Sequence, residues 1–329
     1  MTLKLSEPTF HKRDEFAREQ VAEKVIKLLK SDIDISPMVI DGDWGTGKTE
    51  FCHKLINKMK PEQEEGKNFK PLYIDAFQAD HADNPLITIL AAVLNAIPDE
   101  DQEQKDGLLK KSLPVIRYGL STVGKALVGH LLKANADDIA DDLEKHLEGA
   151  ADKAIDASVT ALLKDHEEAE KNLEALQKML EEIAKDSPLV LFIDELDRCR
   201  PDFSVQMLEV IKHTFDVPGV QFVLVTNKKQ LRAAINNSYG SQVDAQRYLD
   251  KFLKFSFKLP NNVPNGARGY RKEYLLASFS HFINLVTESP SLESTTFKNA
   301  QSPTFTLIEQ LIDANTLSLR ETETFVRHL

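Results

Sequence analysis

Residues 42–49 read Gly42-Asp43-Trp44-Gly45-Thr46-Gly47-Lys48-Thr49 and satisfy the pattern GxxxxGK[ST] at every fixed position. A short apolar run, Met38-Val39-Ile40, precedes them and reads as a buried strand; behind them Phe51, Leu55 and Met59 recur at helical spacing. The pattern alone is a weak signal, but a strand before it and a helix after it supply a mechanism. Glycines let the backbone close into a nest whose N–H groups face phosphate oxygens. Lys48 then reaches the β and γ phosphates, and the Thr49 hydroxyl is placed to ligate Mg²⁺. The helix opening near Lys48 adds its positive N-terminal end. Gly42 through Glu50 is therefore the expected nucleotide-binding run.

Such a loop needs a carboxylate on a neighbouring strand to hold the metal, and residues 188–200, PLVLFIDELDRCR, offer one. The continuous apolar run Leu189 to Ile193 suits a central parallel strand covered on both faces, with carboxylates emerging at its C-terminal end. On this reading Asp194 holds Mg²⁺ through water, and Glu195 polarises the water that attacks in phosphoryl transfer.

Around these motifs, strands and helices alternate. Apolar runs at Pro71–Ala76, Gln221–Val225 and Phe252–Lys258 read as further strands. Helical patterns cover Asp14–Lys30, Pro85–Ala96 and Phe203–Phe215, with a polar loop over Pro61–Asn68. Alternation of this kind predicts an α/β fold with a parallel sheet. Between Asp99 and Ser187 the composition shifts to long, charged sequence. Its later part places Ala169, Leu173, Leu176, Leu180 and Ile183 on one face, predicting an amphipathic helix packed on the sheet in preference to a coiled-coil contact. Leu113–Leu132 is more apolar, but Arg117, Lys125 and His130 interrupt it. A partner-binding hairpin is expected there, not a membrane span.

After Pro260, a loop over Asn261–Ala267 leads to helical patterns at Tyr270–Val286, Phe305–Ile312 and Leu319–Leu329, read as a separate helical lid. The last helix shows no capping signal before the chain stops, the pattern of a fragment or of a terminus that docks elsewhere. The expected organisation is 1–98 for an N-terminal helix and the first half of the core, and 99–186 for a helical insertion. Residues 187–260 form the second half of the core and 261–329 the lid.

With 329 residues, 42% hydrophobic and 28% charged, the chain has the composition of a soluble folded protein. Its net charge of −11 argues against a protein-wide attraction for nucleic acid. Two cysteines, Cys52 and Cys199, make a disulfide framework unexpected. The first ten residues include Lys4 and Glu7 and lack an apolar core, so no secretory leader is read and a cytoplasmic location is expected.

The blocks GDWGTGKT, YIDAFQADHADNPL, LVLFIDELDRCRPDF, VPGVQFVLVTNKKQL and RYLDKFLKFSFKLP, in that order, resemble the KAP family of P-loop NTPases. The resemblance implies a P-loop NTPase core, similar to AAA+ and additional-strand ATPases, with helices flanking a parallel sheet. It also implies a helical insertion between Walker A and Walker B and a C-terminal helical lid. It further implies ATP and Mg²⁺ as ligands, hydrolysis that drives conformational change or assembly, and homo-oligomers or a partner protein met through the insertion and lid. Several bacterial relatives are linked to anti-phage defence.

Carried over by residue, the resemblance puts Lys48 and Thr49 on the phosphate and magnesium positions, Asp194 on the metal carboxylate and Asn227 near the polar sensor. Many relatives have Asp where this chain has Glu195, leaving the base as Glu195 or Asp197. Arg247 is a candidate cation donated to a neighbouring subunit's site, or a surface arginine paired with Asp244 or Asp250; Lys251 is a further candidate. Arg320 falls where the nucleotide-sensing arginine of the lid is expected, and Phe16 and Arg18 lie in the segment that flanks the adenine. A nucleotide-gated scaffold with little intrinsic hydrolysis remains the alternative to an ATPase.

Overall fold

Apolar runs too short for helices form a five-stranded sheet: β1 Met38–Asp41, β2 Lys70–Asp75, β3 Leu189–Asp194, β4 Val220–Thr226 and β5 Phe255–Lys258, in the order β2-β3-β4-β1-β5. β1 runs parallel to β5, with Met38 opposite Phe255, and β2 runs parallel to β3, with Asp75 opposite Asp194. Every residue of β3 is buried, as a strand covered on both faces requires, whereas the edge strand β5 alternates between half-buried and exposed residues. The structure is a computed structural model that describes residues 8–11, 14, 16–60, 69–82, 84–98, 101–119, 159–185, 187–260, 262–264, 274–289, 292, 297, 299 and 301–329.

The helices among the described residues are α1 Glu19–Lys30, α2 Lys48–Met59, α3 Ala76–Ala79, α4 Pro85–Ala96, α5 Gln102–Gly119, α6 Val159–Lys185 and α7 Pro201–Thr214. They continue with α8 Lys228–Tyr239, α9 Ala245–Asp250, α10 Ala277–Glu288, α11 Pro303–Ala314 and α12 Leu319–Arg327. The chain divides into two compact units, one formed by Met1–Glu62, Leu224–Lys229 and Leu253–Leu329, the other by Gln63–Val223 and Gln230–Phe252.

In the first unit, α2 buries Phe51, Leu55 and Met59 as its spacing predicts. The C-terminal helices close on an aromatic core of Phe279, Phe282, Val286, Phe305, Ile308 and Ile312, in which Phe279 and Phe305 meet edge to face at 5.2 Å. Each such side chain contributes roughly 1.5–3 kcal/mol by leaving water. In the second unit, α7 buries Val205, Leu208 and Ile211. α4 starts on Asn84, whose side chain accepts from the N–H groups of Leu86 and Ile87, with Pro85 in the first turn, where its missing N–H costs nothing.

Several boundaries differ from the sequence reading. α1 begins at Glu19, five residues later than expected, because the Asp14 carboxylate accepts from the N–H groups of both Arg18 and Glu19 while Ala17 turns into the left-handed region at φ 48°. That break takes Phe16 off the helix. β5 starts at Phe255, not Phe252, since Lys251 and Phe252 close the end of α9 through N–H bonds to Tyr248 and Leu249. The loop expected over Asn261–Ala267 and the start of the following helix contain an antiparallel ribbon, β6 Asn262–Pro264 with β7 Tyr274–Leu276, so that helix begins at Ala277.

The amphipathic helix α6 exists, with Leu176, Leu180 and Ala184 buried, but its main partner is α5 and not the sheet. Gly107 on α5 allows this approach: a Cβ there would meet Met179 Cε at 2.7 Å. Among the described residues no helix is long and apolar enough to cross a membrane. Pro61–Asn68, and most of the apolar segment Leu113–Leu132 for which a partner-binding hairpin is expected, lie outside the described residues.

Candidate functional site

The phosphate loop leaves β1 at Asp41 and enters α2 at Lys48. Two of its residues, Gly45 at φ 75° and Gly47 at φ 76°, lie in the left-handed region that a side chain disfavours. Gly45 is doubly required, since a Cβ there would stand 2.8 Å from Ser318 Oγ. Lys48 is buried and donates from Nζ to the carbonyls of Gly42 at 2.7 Å and Asp43 at 3.2 Å, so its ammonium lies over the loop it belongs to. Thr49 is half-buried in the first turn of α2, and Glu50 pairs with Lys54 at 2.7 Å.

Arg18, only 3% exposed, braces the loop from outside. Its guanidinium donates to the Thr46 carbonyl at 2.8 Å and twice to that of Pro260, at 2.8 and 3.3 Å, and lies 4.4 Å above the Phe16 ring. On the other side, the Leu319 N–H donates to the Gly45 carbonyl at 3.1 Å, joining the first turn of α12 to the loop. The start of α12 is fixed by a capping box: Glu321 accepts from the Ser318 N–H at 2.8 Å, and the Glu321 N–H donates to Ser318 Oγ at 3.4 Å. The Ser318 N–H first, and second the Ser318 hydroxyl, which donates to Glu321 Oε2 at 2.7 Å, hold the Glu321 carboxyl below the usual carboxylate range.

Between these parts lies a cavity of about 650 Å³, lined by Phe16, Arg18, Asp43, Trp44, Gly45, Thr46, Ala277 and the run Thr316–Glu321. Its size suits a small-molecule ligand. Asn227, 5% exposed, points at the loop through its amide, which donates to Asp43 Oδ1 at 3.4 Å, while Lys258 approaches Asp43 Oδ2 at 3.5 Å. Phe16, Arg18, the residues from Gly42 to Thr49, Asn227 and Arg320 are thus drawn together. Arg320 is exposed at the cavity wall.

The acidic turn belongs to the other compact unit. Asp194 is fully buried at the end of β3; its Oδ1 accepts from the Glu195 N–H at 2.8 Å and its Oδ2 from the Tyr73 hydroxyl at 3.3 Å. Glu195 takes a left-handed conformation, φ 60° and ψ 20°, which starts the 3-10 turn Leu196–Arg198 and brings Arg198 Nη1 to 3.0 Å from Glu195 Oε1. Asp197 sits within the same turn. Cys199 is buried and donates from Sγ to the Glu195 carbonyl at 3.6 Å. Burial first, then the carboxylates of Asp80, Asp197, Asp75 and Glu195, push its thiol far above its ordinary value. Arg200 closes the turn with three bonds to Asp80: backbone N–H to Oδ2 at 3.0 Å, Nε to Oδ1 at 3.1 Å and Nη2 to the carbonyl at 2.9 Å.

The chain matches a family model described as the KAP family P-loop domain over residues 18–329. The chain belongs to the KAP family of P-loop NTPases. The KAP chain is also similar to the phage T7 exclusion protein of Escherichia coli (strain K12), at 21% identity over 262 residues. That alignment covers 75% of the KAP chain and 33% of the relative, so the chain spans about a third of the relative's length.

The remaining sequence candidate, Arg247, lies apart on α9 with its side chain 87% exposed and its Nε 3.4 Å from Asp244 Oδ2, the surface pairing that the sequence also allowed. Sequence reading of the KAP chain missed Ser318 and Glu321 as walls of the cavity, although S-x-x-E before a helical run is a recognisable capping signal. It also passed over Arg198, whose spacing of three from Glu195 across a tight turn is readable in principle.

Proposed function

We propose that the chain binds MgATP at Gly42–Thr49 and hydrolyses it, using the cycle to change the state of its C-terminal helices or its assembly. The observation that carries this reading is the first turn of α12 bonded to the loop, Leu319 N–H to the Gly45 carbonyl, beside a cavity whose wall includes Arg18 and Arg320. A phosphate group entering the loop must displace the Lys48 ammonium from its carbonyls, and any resulting shift at Gly45 is felt directly by α12.

In this reading Lys48 and the loop N–H groups bind the β and γ phosphates, Arg18 and Phe16 flank the base, and Arg320 senses the γ-phosphate. Thr49 and Asp194 supply hard oxygen donors of the kind Mg²⁺ prefers. Bound there, Mg²⁺ offsets charge that builds on the transferred phosphoryl group. Glu195 orients and deprotonates the attacking water, with Asp197 as the other candidate base, and Asn227 positions the loop through Asp43. Arg247 is offered to the site of a neighbouring copy. The similarity to the E. coli phage T7 exclusion protein favours phage defence as the biological setting.

One observation favours the second reading, a nucleotide-gated module with slow intrinsic turnover: Glu195 is ion-paired with Arg198. Nucleotide binding and phosphate release measured together separate the two. Lys48→Ala is expected to weaken MgATP binding at least a hundredfold, and retained affinity refutes the loop assignment. Glu195→Gln is expected to bind MgATP normally and fail to release phosphate; unchanged turnover moves the base to Asp197. Tight binding with no turnover in the unmodified protein at any concentration selects the gated module.

A further inference from the structure

Consecutive peptide groups of the phosphate loop have their carbonyls held by donors from distant parts of the chain. The Gly45 carbonyl accepts from the Leu319 N–H at 3.1 Å, and the Thr46 carbonyl from Arg18 Nη1 at 2.8 Å. Both groups are trans. A trans peptide is planar with its C=O and N–H on opposite sides, so fixing the one aims the other. The first group obeys this rule: with its carbonyl held by Leu319, its N–H, that of Thr46, turns back into the loop and donates to the Asp43 carbonyl at 3.4 Å. In the second group the N–H belongs to Gly47, the residue on which α2 starts. Amides at a helix start face an anion bound there, and the Arg18 bond aims this one.

The Arg18 guanidinium is itself held. Nε and Nη2 fork onto the Pro260 carbonyl at 3.3 and 2.8 Å, the Phe16 ring lies 4.4 Å from the guanidinium carbon, and the Asp14 carboxylate accepts from the Arg18 backbone N–H at 2.8 Å. Pro260 follows Leu259, whose N–H donates to the carbonyl of Asp41, the strand end from which the loop departs, at 2.8 Å. Arg18 therefore ties the middle of the loop back to its root on β1. Gly47 fits closely under this brace, since a Cβ there would stand 3.4 Å from Arg18 Nη1 and 3.2 Å from Leu319 Cδ1.

We propose that Arg18 is a positioning residue for the phosphate chain: by holding the Thr46 carbonyl it turns the Gly47 N–H toward the bound phosphates. The role is separate from flanking the base, and it rests on the reading of Gly42–Thr49 as the nucleotide site. An arginine that acted only as a charge, or only on the base, would leave the direction of the Gly47 amide unchanged.

The sequence supplies a probe for that amide, because Thr46-Gly47 is the chain's single Thr–Gly pair. Threonine labelled with ¹³C at its carbonyl and glycine labelled with ¹⁵N give one NMR signal for this peptide. The unmodified protein, Arg18→Ala and Arg18→Lys are titrated to saturation with MgATP and with inorganic tripolyphosphate, which has no base, below the melting temperature of each. In the unmodified protein the Gly47 amide proton is expected to move downfield with both ligands, as it gains a charged acceptor. In Arg18→Ala both affinities are expected to fall about ten-fold, the loss of one well-aimed hydrogen bond, and the amide moves much less even at saturation. Arg18→Lys keeps the charge and loses the fork; it falls between the two, and it carries the test alone if Arg18→Ala does not fold.

A full amide shift at saturation in both variants overturns the positioning role, whatever their affinities. Weakened MgATP binding with tripolyphosphate binding unchanged assigns Arg18 to the base alone and overturns it too. An amide that does not move when the unmodified protein is saturated also overturns it. MgATP affinity in Lys48→Ala then tells whether the loop reading falls as well: retained affinity removes both, and lost affinity leaves the loop as the nucleotide site.

Discussion

The phosphate loop and the acidic turn solve the same problem, holding charged side chains in place, by opposite means. In the loop, Lys48 and Arg18 rest their donors on backbone carbonyls of Gly42, Asp43, Thr46 and Pro260. A carbonyl satisfies a donor without cancelling its charge, so these bonds by themselves offset none of it. In the turn, Arg198 and Arg200 meet the carboxylates of Glu195 and Asp80, which tempers the negative charge at the end of β3. The loop is also braced from afar, by residues 18, 260 and 319, whereas the Glu195 pair closes across three residues. A bond to a carbonyl leaves a cation's charge in place, and an ion pair offsets a carboxylate's.

If that contrast is right, the loop's distant brace matters more to stability than the ties of the turn. Arg18→Ala removes a buried cation and leaves the carbonyls of Thr46 and Pro260 short of a donor, and is expected to cost about 3 kcal/mol and roughly 6–10 °C in Tm. Thermal melting with and without MgATP checks this, and a loss under 1 °C breaks the comparison. Asp80→Asn keeps one acceptor for Arg200 but loses the ion pair. With Arg200 half-exposed, about 1.5 kcal/mol is expected, read from the denaturation midpoint.

The smallest effect belongs to the surface pair of Lys58 with Glu19, at 2.9 Å between α2 and α1. The hydrogen bond to Lys58 is the largest cause that lowers the Glu19 carboxyl, and the bond to Glu19 is the largest that raises the Lys58 ammonium. A carboxyl lowered by folding stabilises above its unfolded value and loses that contribution as pH falls through its folded one. Lys58→Met should therefore cost about 0.5 kcal/mol at neutral pH and nothing once Glu19 is protonated in acid. A cost that persists at low pH shows instead that the Lys58 stem is packed.

What was legible in the sequence follows the same division. The loop's place between β1 and α2, the five strands and the buried faces of α2 and α7 were readable because each depends on local spacing: glycines in a fixed frame, apolar runs, residues three and four apart. The late start of α1 was not, because it depends on one carboxylate capping two N–H groups and on Ala17 adopting a conformation that its side chain disfavours. Nor was the role of Arg18, which emerges only when residues 46 and 260 converge on it. The ribbon formed by β6 and β7 was hidden by an apolar run whose spacing also suits a helix, and pairing decided between them.

Trp44 is the chain's single tryptophan, and it sits in the phosphate loop 52% exposed on the wall of the cavity. The molecule thus carries its own fluorophore at the place where a ligand would enter. Emission excited at the indole band comes from this one site, free of background from the rest of the chain, so a blue shift or quench on adding nucleotide reads the loop alone. Stopped-flow mixing then times loop rearrangement and separates it from the release of phosphate, without a label or a substitution.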